Sequence, residues 1–340
     1  MGPLSPRIGE GLQPFHPLWH LGGVADLLME TFADEVGPWG RYVLRRMRRI
    51  ARWGALGLWL WGTDLGLEEA LGFVWVEDGK VVGNVSLRRA AFAGGWMLGN
   101  VAVHPQWQRR SIGRTLVEAA LEEVVRRGGT WVGLEVREDN LPARRLYERL
   151  GFEPVGSSLE LLRPAEAPWP VPDSLPIRIR RARAGESRSL YELAREGVPR
   201  PHQEVLEIRP SAYRAGWEAE LTSWLEGRRE TWWVVADGPL NGAFRVTSHR
   251  PARWHDIEIL VRPQEIETLG KLLVWGALAQ LAHRPLWDVT TVLPGYRQDL
   301  AAVFQEAGFQ PSRRLLQMRR LMGKTVPVRS AVPGALQATL

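Results

Sequence analysis

The chain has no cysteine and only three lysines, Lys80, Lys271 and Lys324, although it carries 44 basic residues and a formal charge of +6. Without cysteine there can be no disulfide, no thiolate nucleophile and no cysteine metal site, a composition that suits a reducing interior. No charged-then-apolar leader opens the sequence. The longest apolar stretch, Trp53–Gly62, is too short and too glycine-broken to span a bilayer. The expected location is therefore cytoplasmic, with no membrane partner. Histidine, aspartate and glutamate nowhere fall at metal-ligand spacing, so no metal is expected. His104, alone beside Pro105, reads as a structural turn residue. The arginine-dominated charge is compatible with an anionic ligand, an acidic partner or nucleic acid. No nucleic-acid reader motif accompanies it, so nucleic-acid binding is not expected.

What is present is enough apolar material for real cores, 45% of 340 residues, and a length that suggests two domains. Five prolines between 164 and 176 read as a stiff linker. The two sides of it resemble each other. "EDGKVVGNVSL" (Glu77–Leu87) matches "ADGPLNGAFRV" (Ala236–Val246), and each reads as a β-hairpin with a tight Asp-Gly turn. "VAVHP" (Val101–Pro105) then meets "ILVRP" (Ile259–Pro263), and "YERLGF" (Tyr147–Phe152) meets "FQEAGF" (Phe304–Phe309). Three blocks in one order, at a nearly constant offset, indicate a duplicated domain.

In the first copy a strand ending in Val101, Ala102 and Val103 leads into "QRRSIGRT" (Gln108–Thr115), and a helical apolar stripe begins at Ile112. A helix N-terminus offers unpaired amides and partial positive charge. Gly113 allows close backbone approach, and Arg109, Arg110 and Arg114 add mobile charge, so the loop suits a pyrophosphate. It contains neither Gly-Lys-Ser/Thr nor Gly-x-Gly-x-x-Gly, which excludes a Walker loop and the dinucleotide fingerprint. On the loop alone, a solvated arginine-rich turn is an equal alternative. A second strand, Thr130–Val136, is followed by Asn140, which can cap a short helix carrying Tyr147 and closed by Gly151. A second arginine cluster, Arg41 to Arg52, shares a helix with an apolar stripe of Tyr42, Val43, Met47 and Ile50; it reads as a solvated face or a funnel for an acidic acceptor.

"NVAVHPQWQRRSIGRTL" followed by "LEVREDNLPARRLYERLGF" resembles the GNAT superfamily of N-acetyltransferases, over about Leu71–Leu162. The first segment is similar to that family's acetyl-coenzyme A signature, with Arg114 where glycine or alanine is usual. The second is particularly similar to ribosomal-protein alanine N-acetyltransferases. The resemblance implies an α/β protein of two tandem GNAT-like domains, each a mixed, mostly antiparallel twisted sheet flanked by helices. It implies acetyl-CoA as cosubstrate. Main-chain groups of Val101, Ala102 and Val103 would meet the pantetheine arm. Gln108, Arg109, Arg110, Ser111, Ile112, Gly113, Arg114 and Thr115 would hold the pyrophosphate. Asn140 and Tyr147 would lie near the thioester.

Amine acetylation needs a neutral amine, a polarised carbonyl and a protonated leaving thiolate. The resemblance makes Tyr147 the general acid and Glu135 the general base, acting directly or through water; an arginine-paired structural glutamate is the alternative. The acceptor is a peptide N-terminus or a small amine. Free α-amines titrate near 7.7–8.0 and need less help from a base than lysine, near 10.4. The second copy has lost this equipment: Val292, Arg297 and Phe304 stand where Glu135, Asn140 and Tyr147 stand in the first, and Glu265 and Glu267 replace loop arginines. The expected organisation is a catalytic domain over 1–163, a proline-rich linker over 164–176, a degenerate GNAT-like domain over 177–322 and a tail over 323–340. The expected assembly is a monomer with pseudo-dimeric domains or a homodimer. A non-catalytic acyl-CoA sensor or scaffold is the competing reading.

Overall fold

Asp78 and Gly79 take left-handed φ angles of 50° and 69°. A two-residue hairpin turn requires this conformation, and it joins β2 (Leu71–Glu77) to β3 (Lys80–Arg89) antiparallel. In the computed structural model, residues 9–32, 38–56, 70–167, 178–236 and 240–323 are described. Strand β1 (Gly11–Pro14) pairs with the outer edge of β2, and β4 (Gly95–Val103) with β3. Helices α1 (Pro17–Thr31) and α2 (Pro38–Arg52) cover one face, where Val24, Leu27, Leu28 and Leu44 meet Val74, Val76 and Ala102. The α2 stripe is shifted from the expected one. Leu44 and Ile50 are its buried residues, while Tyr42 and Val43 are half-buried. Arg48 pairs with Asp26 at 2.6 Å.

The opposite face receives α3 (Ile112–Arg126) and α4 (Leu141–Arg149). The stripe Ile112, Leu116, Val117, Ala120, Leu121 and Val124 is buried as its period demands. Gly83 makes this docking close: a Cβ there would fall 2.9 Å from Leu116 and 3.0 Å from Ile112. Strand β5 (Trp131–Arg137) lies between the two helices in sequence, and β6 (Glu153–Arg163) follows α4.

The second half repeats the order. It contains β7 (Ile179–Arg181), α5 (Ser187–Arg195), α6 (Arg200–Val205), α7 (Trp217–Leu225), β8 (Arg228–Val235), β9 (Gly242–His249), β10 (Trp254–Val261), α8 (Lys271–Leu281), β11 (Asp288–Pro294), α9 (Gln298–Glu306) and β12 (Gln310–Leu321). Strands β8 and β9 are antiparallel, as the repeat predicts. The Asp237-Gly238 turn between them, most of the 164–176 linker and the tail from 324 onward lie outside the described residues.

The twelve strands of the described residues form one sheet in the order β1-β2-β3-β4-β5-β12-β6-β11-β10-β9-β8-β7. The last strand of each half is therefore inserted into the other half. β12 runs antiparallel between β5 and β6, and β6 runs antiparallel between β12 and β11. The consequence is a shared core. Met318 of β12, fully buried, packs with Leu134, Tyr147 and Phe152 of the first half, while Leu159 and Leu161 of β6 pack with Ile257, Val289 and Phe304 of the second.

Candidate functional site

Strands β4 and β5 pair in parallel only at Gly95–Trp131, Trp96–Val132 and Met97–Gly133. Beyond Met97 they diverge, because β4 follows β3 while β5 follows β12. A bulge accompanies the divergence. The β3–β4 register shifts between Asn84–Ala102 and Ser86–Gly99, and Asn100 takes a left-handed φ of 51°. Buried Asn84 fixes the bulge by donating Nδ2–H to the Asn100 carbonyl at 2.8 Å. The gap opens into a cavity of about 540 Å³, lined on one side by Leu98, Gly99, Asn100 and Val101 and on the other by Leu134 to Arg137.

Residues reach this cavity from both faces of the sheet. Tyr147 comes from the α3/α4 face, with its ring edge-on to Phe152 at 5.8 Å. Only 5% of Tyr147 is exposed, and burial pushes its phenol far above the usual range. It is therefore a neutral proton donor at any ordinary pH. The helix that carries it is fixed at both ends: Asn140 Oδ1 accepts from Ala143 N at 3.2 Å, and Phe152 N donates to the Tyr147 carbonyl at 3.0 Å. Asn140 thus caps α4 as the sequence suggested and also lines the cavity.

Glu135 comes from the other face, since its β5 neighbours Leu134 and Val136 point into the α3/α4 core. No arginine pairs with it among the described residues; its partner is Gln317 of β12, whose Nε2 donates to Oε1 at 2.6 Å. Gln317 also donates to Ser158 Oγ at 2.9 Å and contacts His202 Nε2 at 3.2 Å through Oε1. Sequence reasoning missed Gln317 and His202. They lie far along the chain from Glu135, and only the strand exchange brings them close. The same half supplies Trp254, Thr290, Val292, Arg313 and Leu315 to the cavity wall.

The loop before α3 departs from helical geometry at two non-glycine residues, Arg109 (φ 62°) and Ser111 (φ 63°). Ser111 is the N-cap residue but its side chain makes no capping bond, and among the described residues the amides of Ile112, Gly113 and Arg114 bond no acceptor. Arg109 and Arg110 are exposed, and among the described residues neither has a partner, whereas Arg114 pairs with Glu118 at 2.8 Å. Gln108 Nε2 donates to the Val103 carbonyl at 3.0 Å, and the Thr115 hydroxyl to the Ser111 carbonyl at 3.2 Å. Val101 and Val103 are half-buried, while the intervening Ala102 points to the α1/α2 core. A Cβ on Gly113 would meet Val103 at 3.4 Å, an ordinary contact, so protein packing alone does not demand glycine there. His104 bonds Glu30 of α1 at 2.9 Å and accepts from Gln106 N at 3.3 Å, the structural turn role expected of it.

The corresponding region of the second half is built differently. β9 and β10 pair without a register shift. The chain winds from Pro263 through a short 3-10 turn and a wide helical turn straight into α8, with no left-handed residue. Arg297 donates Nη1–H to the carbonyl of Val261, the residue that matches Val103, at 3.2 Å. Phe304 is packed into the core.

A splayed, bulged strand pair thus lies beside a helix N-terminus whose N-cap side chain makes no capping bond. Residues 26–152 match the acetyltransferase (GNAT) family, and the chain carries a domain of that family. Over 89 residues it is 38% identical to the [ribosomal protein bS18]-alanine N-acetyltransferase of Escherichia coli strain K12, which covers 25% of this chain and 56% of that protein. The chain thus spans little more than half the length of that relative. It is 26% identical over 275 residues to the mycothiol acetyltransferase of Mycolicibacterium vanbaalenii, covering 79% of this chain and 76% of that one. A tandem GNAT protein from the clavulanic acid biosynthesis pathway has the same fold, with a TM-score of 0.60 at 18% identity, over 93% of this chain and 99% of its own. Among the described residues no helix is long and apolar enough to cross a membrane.

Proposed function

We propose that this protein is an N-acetyltransferase that moves acetyl from acetyl-CoA to a primary amine, either a peptide N-terminus or a small molecule. The observation that carries the reading is the convergence of Glu135 and Tyr147 on one cavity from opposite faces of the sheet. The residues around it fit the coenzyme. Uncapped α3 amides, with Arg109 and Arg110 beside them, suit the pyrophosphate, and the edge of β4 that no strand pairs at Val101–Val103, where Gln108 bonds the Val103 carbonyl, suits an extended pantetheine arm. Bound there, the coenzyme would supply an activated thioester.

The chain's own residues then move two protons. Glu135 takes the proton the amine gives up as its nitrogen bonds to the acetyl carbon. Tyr147 gives its phenolic proton to the sulfur as the carbon–sulfur bond breaks. The raised phenol affinity for its proton keeps Tyr147 in the donating form. In this reading residues 1–163 carry the chemistry, 164–176 link, and 177–322 form a degenerate domain that lends β12 and the acceptor wall. The interleaved strands supply within one chain the pairing that two copies would make, which favours a monomer. Tyr147→Phe should cut turnover by about 10²–10⁴-fold and leave acetyl-CoA affinity as it was. Unchanged turnover would remove Tyr147 as the acid, and tight coenzyme binding with no turnover of any amine would instead favour a coenzyme sensor.

A further inference from the structure

Glu135 faces a cavity on a side chain with several free torsions, yet a base must hold one geometry. Among the described residues, the only side chain bonded to it comes from the opposite half of the sequence. Gln317 stands directly across from Glu135 in the β5–β12 register and is fully buried. A carboxylate can only accept, so the Gln317 NH2 must face Glu135, and its second proton goes to Ser158 Oγ. This leaves Gln317 Oε1 aimed at His202 Nε2. Two acceptors cannot face each other at that distance, so His202 carries its proton on Nε2. Burial lowers the affinity of His202 for a second proton and keeps the ring neutral.

His202 is itself held in place. Its helix α6 is tied to β12 by the Arg319–Glu204 ion pair. Just beyond α6, Glu207 accepts from Ala91 N at 2.8 Å and pairs with Arg88 at 2.7 Å, both in the first half. Gly156 of β6 leaves the ring its space, since a Cβ there would lie 2.3 Å from His202 Cε1. The chain His202–Gln317–Glu135 therefore runs from a docked helix, across an exchanged strand, to the cavity.

We propose that Gln317 is the positioning residue of Glu135 and that His202 fixes the orientation of Gln317, so the second half completes the active site of the first. The proposal rests on the reading of Glu135 as base. It assigns the degenerate half a chemical task that its own lost residues do not suggest.

The test is a double-mutant cycle of the full chain: wild type, Gln317→Met, Glu135→Gln and both together. Each is assayed by thiol release from acetyl-CoA, with the fastest amine from a panel of free-N-terminus peptides, lysine peptides and small amines. Gln317→Met keeps volume and removes the donor. It should lower kcat by about 10- to 100-fold, with KM for acetyl-CoA unchanged within about twofold, and have no further effect once Glu135 is glutamine. If Glu135→Gln loses turnover but Gln317→Met does not, the base stands and the proposal is wrong. If Gln317→Met costs the same in both backgrounds, Gln317 acts on the fold and not through Glu135, and the proposal is also wrong. If Glu135→Gln has no effect, or no amine is acetylated, the base reading falls and takes the proposal with it. A nitrogen-15 spectrum of the unsubstituted protein gives an independent reading. It should find His202 protonated on Nε2, and an Nδ1–H tautomer would overturn the chain of bonds whatever the variants do.

Discussion

Reversing the charge of Arg110 is the sharpest probe of the coenzyme loop. Arg110 is exposed and partnerless among the described residues, so Arg110→Glu breaks no bond of the fold. Its guanidinium works through solvent, and the solvent dielectric sets the size of the effect. Two unit charges about 6 Å apart in water interact by about 0.7 kcal/mol, so reversing one of them costs about 1.4 kcal/mol. That is about tenfold in Kd. Acetyl-CoA affinity, measured by calorimetry in low salt, should fall by about that factor. At 0.5 M salt the screening length shortens to a few ångströms, and the loss should shrink to about two- or threefold. An acetyl-pantetheine thioester has no pyrophosphate, so its binding should be indifferent to the substitution. Equal losses for both ligands, or no loss for acetyl-CoA, would refute the placement of the pyrophosphate at α3.

Two further outcomes follow from the packing. His20, His202 and His255 are buried, and burial lowers the proton affinity of each below the usual value near 6.5. As pH falls through about 6.5, the unfolded chain takes up protons that the folded chain refuses, so stability is lost on the acid side of that value and is flat above it. Denaturant midpoints from pH 8 to 5 should show this, and a midpoint that rises on acidification would contradict it. Residues 1–163 expressed alone lack β11 and β12, which leaves the β5 edge and both edges of β6 unpaired and removes Met318 from the core. They should fail to form a folded monomer by circular dichroism and size exclusion, and a stable monomeric fragment would count against the shared core.

Much of the first half is legible because its signals are local. The Asp78-Gly79 turn, the α3 stripe and the Asn140 cap each depend on neighbours within a few residues. At the second-half positions that match Asn140 and Tyr147, Arg297 bonds the Val261 carbonyl and Phe304 packs in a core. The strand exchange is not readable. β6 and β12 carry the same alternation whichever strand they join, because period-two patterning fixes the buried face and not the partner. The Gln317–Glu135 bond, between residues 182 positions apart, inherits that ambiguity. The bulge at Asn100 is likewise a property of register, set by Asn84 on the neighbouring strand. A buried asparagine there, amid valines, was the available hint.

The central claim is acetyl transfer to an amine, and thiol release from acetyl-CoA across a panel of free-N-terminus peptides, lysine peptides and small amines tests it most directly. The protein has no cysteine to react with the thiol reagent. The account predicts turnover with one class of amine, abolished by Tyr147→Phe and by Glu135→Gln. Tight coenzyme binding without turnover on any amine would contradict it.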